Sequence, residues 1–183
     1  MQVTFTLRHD TCPTVNLNGI TIPQSENVRY LGIHLDRRLT WKKHILTKRK
    51  ALSVQFRKLY WLLARNSNLS LHNKLLLYKI IVKPVWSYGV ELWGTAAKSN
   101  LDIVQRFQSK MLRTIANAPW FVTNSQLHRD LMVPTVKEEI LGRIKTYTRR
   151  LESHPNELAC DLMESSRVFK RIKRRAPQDL LLS

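Results

Sequence analysis

Alternation of apolar and polar residues opens the chain. In QVTFTL, residues 2–7, Val3, Phe5 and Leu7 alternate with polar neighbours, the two-residue period of a half-buried strand. VNLNGITI repeats the pattern on either side of Asn18 and Gly19, the preferred pair for a type I′ turn because both central residues take positive φ. A hairpin is expected, with Leu17 opposite Ile20 and Val15 opposite Ile22. VRYLGIHLD, read as one strand over 28–35, sets Leu31, Ile33 and Leu35 on one face and Val28, Tyr30, Gly32 and His34 on the other. Gly32 leaves room for a close approach to the backbone, for which a bulge or tight strand packing is a simpler reading than a ligand.

From Thr40 the period lengthens. Thr40 is the candidate N-cap of a helix expected to run to about Arg65. At ~100° per residue, Trp41, Ile45, Leu52, Phe56, Leu59 and Leu63 fall within a sector of roughly 60°, the expected buried stripe. Lys42, Lys43, Arg49, Lys50, Arg57, Lys58 and Arg65 spread over the opposite side, with Tyr60 and Trp61 among them. Ser70 starts a second helix, SLHNKLLLYKIIVK, whose apolar residues reach nearly all the way round, as suits the middle of a bundle, until Pro84 kinks or interrupts it. Trp86, Tyr88 and Trp93 beside Gly89 and Gly94 read as a core cluster. Ser99 is the expected cap of a third helix carrying Leu101, Val104, Phe107, Met111, Leu112 and Ile115, closed by Ala118 and Pro119. A short helix is expected from Ser125 to Leu131. Thr135 and Glu138 form a T-x-x-E capping box ahead of the stripe Val136, Ile140, Ile144, Tyr147 and Leu151. NELACDLM adds a further turn or two, and the basic tail RVFKRIKRRAPQDLLLS is expected to be mobile. The fold class this predicts is α+β, mainly α: a small antiparallel β element over residues 1–36, a helical bundle over 37–118, a helical extension over 119–164 and a basic tail over 165–183.

Composition sharpens the picture chiefly through charge. The chain of 183 residues is 43% hydrophobic, enough for a real core. Lys and Arg number 31 against 13 Asp and Glu, a formal charge of +18 with a pI near 10.5. Such an imbalance points to a polyanionic partner, nucleic acid ahead of an anionic membrane surface. The charge is also unevenly placed, for between Asp36 and Glu91 there are thirteen Lys or Arg and no acidic residue. A merely solvated helix mixes signs to gain i,i+4 pairs; this one repels itself unless an anion lies against it.

Other chemistries find little support. Cys12 and Cys160 are too far apart in sequence for a zinc knuckle or a disulfide framework, which suits a reducing compartment. No apolar run reaches the roughly 18 residues that span a bilayer, so an intracellular and, given the basic tail, nuclear chain with no membrane partner is expected. Two-metal catalysis needs converging carboxylates, but the only adjacent acidic pair is Glu138 and Glu139, in the first turn of a helix. His9 and Cys12 alone make half a metal site. There is no phosphate-cradling Gly-rich loop, G-x-S-x-G or H-E-x-x-H, so the chain by itself does not read as a catalyst and calls for no cofactor.

The order of its blocks is more specific than any short motif. SENVRYLGIHLDRRLTWKKHI, LSLHNKLLLYKIIVKPVWSYGVELWG, SNLDIVQRFQSKMLRTIANAPWFVTN and LHRDLMVPTVKEEI together resemble the C-terminal part of the reverse transcriptases of non-LTR (LINE-type) retrotransposons, the jockey-like elements of insects in particular. The resemblance covers nearly the whole chain and weakens in the tail. It implies that the N-terminal strands are the end of a palm, with Tyr30, Leu31 and Gly32 matching the Y-L-G segment of the primer grip. It implies too that the helices after Thr40 form a thumb. The nucleic-acid backbone contacts expected on that footing are Arg37, Arg38, Lys42, Lys43, Arg49, Lys50, Arg57 and Lys58. The implied partners are an RNA template and DNA primer duplex and the missing palm and fingers, with Mg²⁺ belonging to the intact parent enzyme. The fingers, the F/Y-x-D-D aspartates and the endonuclease of the family are lacking from this sequence, and Met1 falls inside the polymerase region, so a truncated copy or remnant is expected. The alternatives are a stand-alone basic nucleic-acid-binding module or a decayed remnant without function.

Overall fold

The computed structural model describes residues 1–5, 13–164 and 176–181. Its architecture is α+β, mainly α, with two small antiparallel hairpins leading into packed helices. In the first hairpin β1 (Asn16–Leu17) pairs with β2 (Ile20–Thr21) across Asn18 and Gly19, whose φ angles of 50° and 76° are those the turn chemistry requires. Leu17 stands opposite Ile20, and the Ile22 N–H donates to the Val15 carbonyl at 2.8 Å. The alternation at the N-terminus, by contrast, yields no strand among the described residues 1–5. Gln2 makes an isolated parallel bridge to Gln24 instead. His9 and Cys12 lie outside the described residues.

The single strand expected over 28–35 is a hairpin. β3 (Asn27–Tyr30) and β4 (Ile33–Asp36) run antiparallel with Tyr30 opposite Ile33, and Leu31 and Gly32 form the turn at φ 45° and 77°. Alternation alone could not reveal this, because a leucine rarely accepts the left-handed region, which costs about 1 to 2 kcal/mol. The turn also redistributes the faces: cross-strand partners share one, so Val28, Tyr30, Ile33 and Leu35 go together and Arg29 joins His34 on the other.

Helix α1 (Lys42–Leu63) follows a loop in which Leu39 and Trp41 adopt φ 49° and 63°. The N-cap position is Trp41 rather than Thr40, but the Thr40 hydroxyl accepts from the first helical N–H, that of Lys42, at 3.4 Å. The Asp36 carboxylate accepts from the Thr40 N–H, the Thr40 hydroxyl and the Trp41 N–H, each at 2.9 Å. Trp41, Ile45, Leu52 and Leu63 are buried and Phe56 and Leu59 pack against the same core, as the stripe predicts. Ser70 caps α2 (Leu71–Leu77), accepting from the Asn73 N–H at 3.3 Å. The chain then widens into a π turn (Tyr78–Val82) before α3 (Lys83–Ser87), which accommodates Pro84 without ending the helical run. This run is not enclosed as expected: Tyr78, Val82 and Trp86 enter the core, but Leu71, Leu76 and Ile80 face outward.

The remaining helices are α4 (Val90–Trp93), α5 (Lys98–Ala116), α6 (Asn124–Asp130), α7 (Val136–Glu152) and α8 (Glu157–Glu164), with a 3₁₀ turn at Pro177–Leu180. Ala97 rather than Ser99 occupies the cap position of α5, and Asn117 ends it in the left-handed region. The capping box of α7 is present on both sides, at 3.3 and 2.7 Å. One core runs from Ile33 to Ile144, centred on Trp86, Trp93, Tyr78, Met111 and Leu112. Most of the basic tail, 165–175, lies outside the described residues. In its last part Leu180 and Leu181 pack against the core.

Candidate nucleic-acid interface

The outer face of α1 carries a row rather than a patch. Lys43, Lys50 and Arg57 recur every seven residues, about 10.5 Å apart along the axis, and all are exposed. Trp61 continues the row at 72% exposure, with Lys42, Lys58, Leu46 and Val54 exposed along its borders. Arg49 does not share this open face. Its guanidinium lies 4.3 Å from the centroid of the Phe107 ring and bonds the Ser53 hydroxyl, and burial lowers its pKa. Of the two arginines before the helix, Arg37 is half-buried, its N–H donating to the Glu26 carbonyl at 2.9 Å, and Arg38 is exposed. Two other cations of the acid-free stretch serve the fold: buried Lys74 donates to the Ala64 carbonyl at the end of α1 (2.8 Å), and Lys83 pairs with Glu139 (2.8 Å).

The row begins beside the hairpin tip. Tyr30 and Leu31 are exposed there, and the Tyr88 hydroxyl donates to the Leu31 carbonyl at 2.9 Å. The Tyr88 ring stands against Gly32, where an added Cβ would lie 3.5 Å from it, so the close approach anticipated at this glycine is made by an aromatic side chain of the same molecule. A Cβ at Gly89 (φ 63°) would meet Ile33 at 2.8 Å, so the following residue must also be bare for the hairpin to seat. Tyr88 had been expected in the core with Trp86 and Trp93; it is instead an exposed brace for the tip.

Positive charge concentrates around His34, next to the residue pair that closes this hairpin. His34 is held below the usual histidine range by burial and then by Arg29, Lys43 and Lys48. Lys48 is lowered by burial and then by Arg29, and its ammonium sits 5.2 Å above the Tyr88 ring. His44 is fully buried, a residue the helical stripe did not include. Its Nδ1 accepts the His34 N–H at 3.2 Å, which leaves its proton on Nε2, buried without a partner. Burial first, then Lys48 and His34, lowers its pKa to about 4. Sequence reasoning missed Arg29 and Lys48 because the hairpin turn and the helix phase together bring them to His34. An anion at this corner would relieve the mutual repulsion.

The acidic residues have other work. Asp36 ties down the loop before α1, Glu138 closes the capping box, Glu139 pairs with Lys83 and with Arg143 (3.2 Å), and Asp102 pairs with Lys98 (3.0 Å). No three His, Cys, Asp or Glu among the described residues come together in a way that could hold a metal ion. Among the described residues no helix is long and apolar enough to cross a membrane.

The chain is similar over nearly its whole length to part of longer proteins of mobile elements. It is 45% identical over 180 residues to the probable RNA-directed DNA polymerase from transposon X-element of Drosophila melanogaster, covering 98% of this chain and 20% of that protein. It is 40% identical over 188 residues to the RNA-directed DNA polymerase from mobile element jockey of Drosophila funebris, with the same shares. Against the probable RNA-directed DNA polymerase from transposon BS of Drosophila melanogaster it is 38% identical over 170 residues, covering 93% of this chain and 18% of the relative. No family model and no solved structure matches it. Over nearly its whole length the chain is thus homologous to a part of the RNA-directed DNA polymerases of Drosophila mobile elements, jockey among them, and it spans about a fifth of the length of the curated relatives it matches.

Proposed function

We propose that this chain grips the template and primer duplex of an RNA-directed DNA polymerase. The tip formed by Tyr30, Leu31 and Gly32 meets the 3′ end of the primer, and the outer row of α1 holds phosphates upstream of it. In this reading residues 1–36 are the end of the palm, 37–118 the thumb, 119–164 an extension and 165–183 a basic tail suited to nuclear import. The observation that carries the reading is the exposed row Lys43, Lys50 and Arg57, on a helix without a single acidic residue. Cations spaced along an axis contact a phosphate backbone and position it without reading bases. Catalysis belongs to the palm and fingers, which would supply the Mg²⁺ and its carboxylates. Leu17 and Ile20, exposed on the first hairpin, fit a surface that docks on that missing body.

Fluorescence anisotropy with a labelled primer and template tests the reading. Affinity should fall linearly with log salt, by about 0.9 per phosphate contact on B-form DNA, with little dependence on sequence. Changing Lys43, Lys50 and Arg57 together to Gln should reduce that slope by up to about three. An unchanged slope would remove α1 from the interface.

A further inference from the structure

The loop between α5 and α6 holds out two aromatic rings. Trp120 is 90% exposed and Phe121 68%, packed edge to face with centroids 6.0 Å apart and planes at 81°. The backbone beneath them is fixed. The Arg113 guanidinium donates to the carbonyls of Pro119 and Val122, both at 2.7 Å, and to Asn124 Oδ1 at 3.0 Å. Asn117 turns the chain in the left-handed region, and Ala118 and Val122, on either side of the rings, pack against the core. The indole is thus presented on a preorganised support, with little ordering left to do when something binds.

What surrounds the rings points to their occupant. Arg106, Lys110 and Arg113 share one face of α5, at i, i+4 and i+7, leading to the loop, and Arg129 is exposed on α6. Residues 98–137 contain six Lys or Arg and two Asp, and among the described residues none of the ion pairs involves Arg106, Lys110 or Arg129. Two exposed rings at the end of a helix face that carries Arg106 and Lys110 match stacked bases on a phosphate chain.

We propose that Trp120 and Phe121 stack on unpaired bases of a nucleic-acid strand while Lys110 and Arg129 take the flanking phosphates. This gives the molecule a single-strand contact separate from the duplex contact on α1, and it rests on the reading of the chain as a nucleic-acid binder. The test uses the full chain with a labelled oligothymidylate of about 12 nucleotides and a blunt duplex of the same length. Trp120→Ala should weaken the single strand roughly 5- to 150-fold, leave its salt slope unchanged because no charge is lost, and leave the blunt duplex unaffected. Trp120→Phe should restore most of the loss. Thermal unfolding should not move, since the side chain is almost wholly in solvent. The Lys43, Lys50 and Arg57 triple Gln variant separates the two readings: if it leaves the duplex slope intact, α1 is not the duplex contact, yet the Trp120 effect on the single strand stands or falls by itself. Wild-type affinity for the single strand in Trp120→Ala overturns the proposal. Equal losses on both probes, or unchanged strand affinity with a loss of self-association in light scattering, would overturn it too, the last assigning the loop to a protein contact.

Discussion

Helices α1 and α7 are both long and amphipathic, yet they are stabilised from opposite directions. α7 carries its own devices: a capping box at Thr135 and Glu138, a second acid at Glu139, Arg149 and Arg150 in the last turn, and an i,i+4 pair between Glu139 and Arg143. The Thr135 N–H bonded to Glu138 holds that carboxylate below its usual pKa. α1 has none of these. Its first turn lacks an acid, its last turn lacks a base, and Trp41 at its N-cap makes no side-chain cap. Its C-terminal end is served from elsewhere in the fold, by Lys74 of α2 on the Ala64 carbonyl, and the loop that leads into its start is held by Asp36 of β4. The difference is that α7 carries acids of its own, which cap its start and pair with Arg143 and with Lys83 of α3, whereas α1 has no acid and relies on tertiary contacts to stay helical.

The largest expected effect tests that reliance. Leu52→Ala in α1 and Ile144→Ala in α7, both fully buried, should each cost about 2 to 5 kcal/mol in urea unfolding. Leu52→Ala should lose duplex binding only in proportion to the unfolded fraction. A binding loss with the protein still folded would mean that the core side of α1 takes part directly. Next in size is the exposed charge. The Lys43, Lys50 and Arg57 triple Gln variant should lose about 100-fold in duplex affinity at low salt, while Lys137, Lys145 and Arg149 changed to Gln on α7 should leave the salt slope where it was. Equal losses from the two helices would make the comparison one of net charge alone.

A smaller contrast is in pH. His44 of α1 is buried and neutral with a pKa near 4, below its ordinary 6.5, so the unfolded chain takes up the proton first. Stability from this residue is complete above about pH 6.5 and is lost as pH falls toward 4, by about 2 kcal/mol once solvent screening is allowed for. Urea midpoints across that window should therefore fall in the wild type and flatten in His44→Leu; an unchanged profile in the variant would assign the acid sensitivity elsewhere. The smallest effects are at the starts of the two helices. Asp36→Ala should cost about 1 to 2 kcal/mol, because three donors lose their acceptor, and Thr135→Ala about 1 kcal/mol. If Thr135→Ala proved the costlier, α7 rather than α1 would be the helix that depends on a single contact.

Local sequence was enough to read the long helices, the first hairpin and the capping box, though not α4: Asn18 and Gly19 make their turn wherever they occur, and Thr135 reaches Glu138 three residues away. The excess of positive charge on α1 was legible for the same reason. Leu31 and Gly32 as a turn were not, because the left-handed leucine costs energy that only the seating of the hairpin against Tyr88, Gly89 and α1 can offset. Nor could a helical wheel tell Arg49 from Lys50. The packing of α5 on α1 draws one guanidinium over Phe107 and leaves the neighbouring ammonium in water. The meeting of Arg29, His34, Lys43 and Lys48, the burial of His44 and the bracing of Trp120 by Arg113 were likewise decided by tertiary structure. Charge and amphipathic phase are properties of short stretches of chain. Which cations remain free, and which rings stand in solvent, depends on residues far away in sequence that compete for the same side chains.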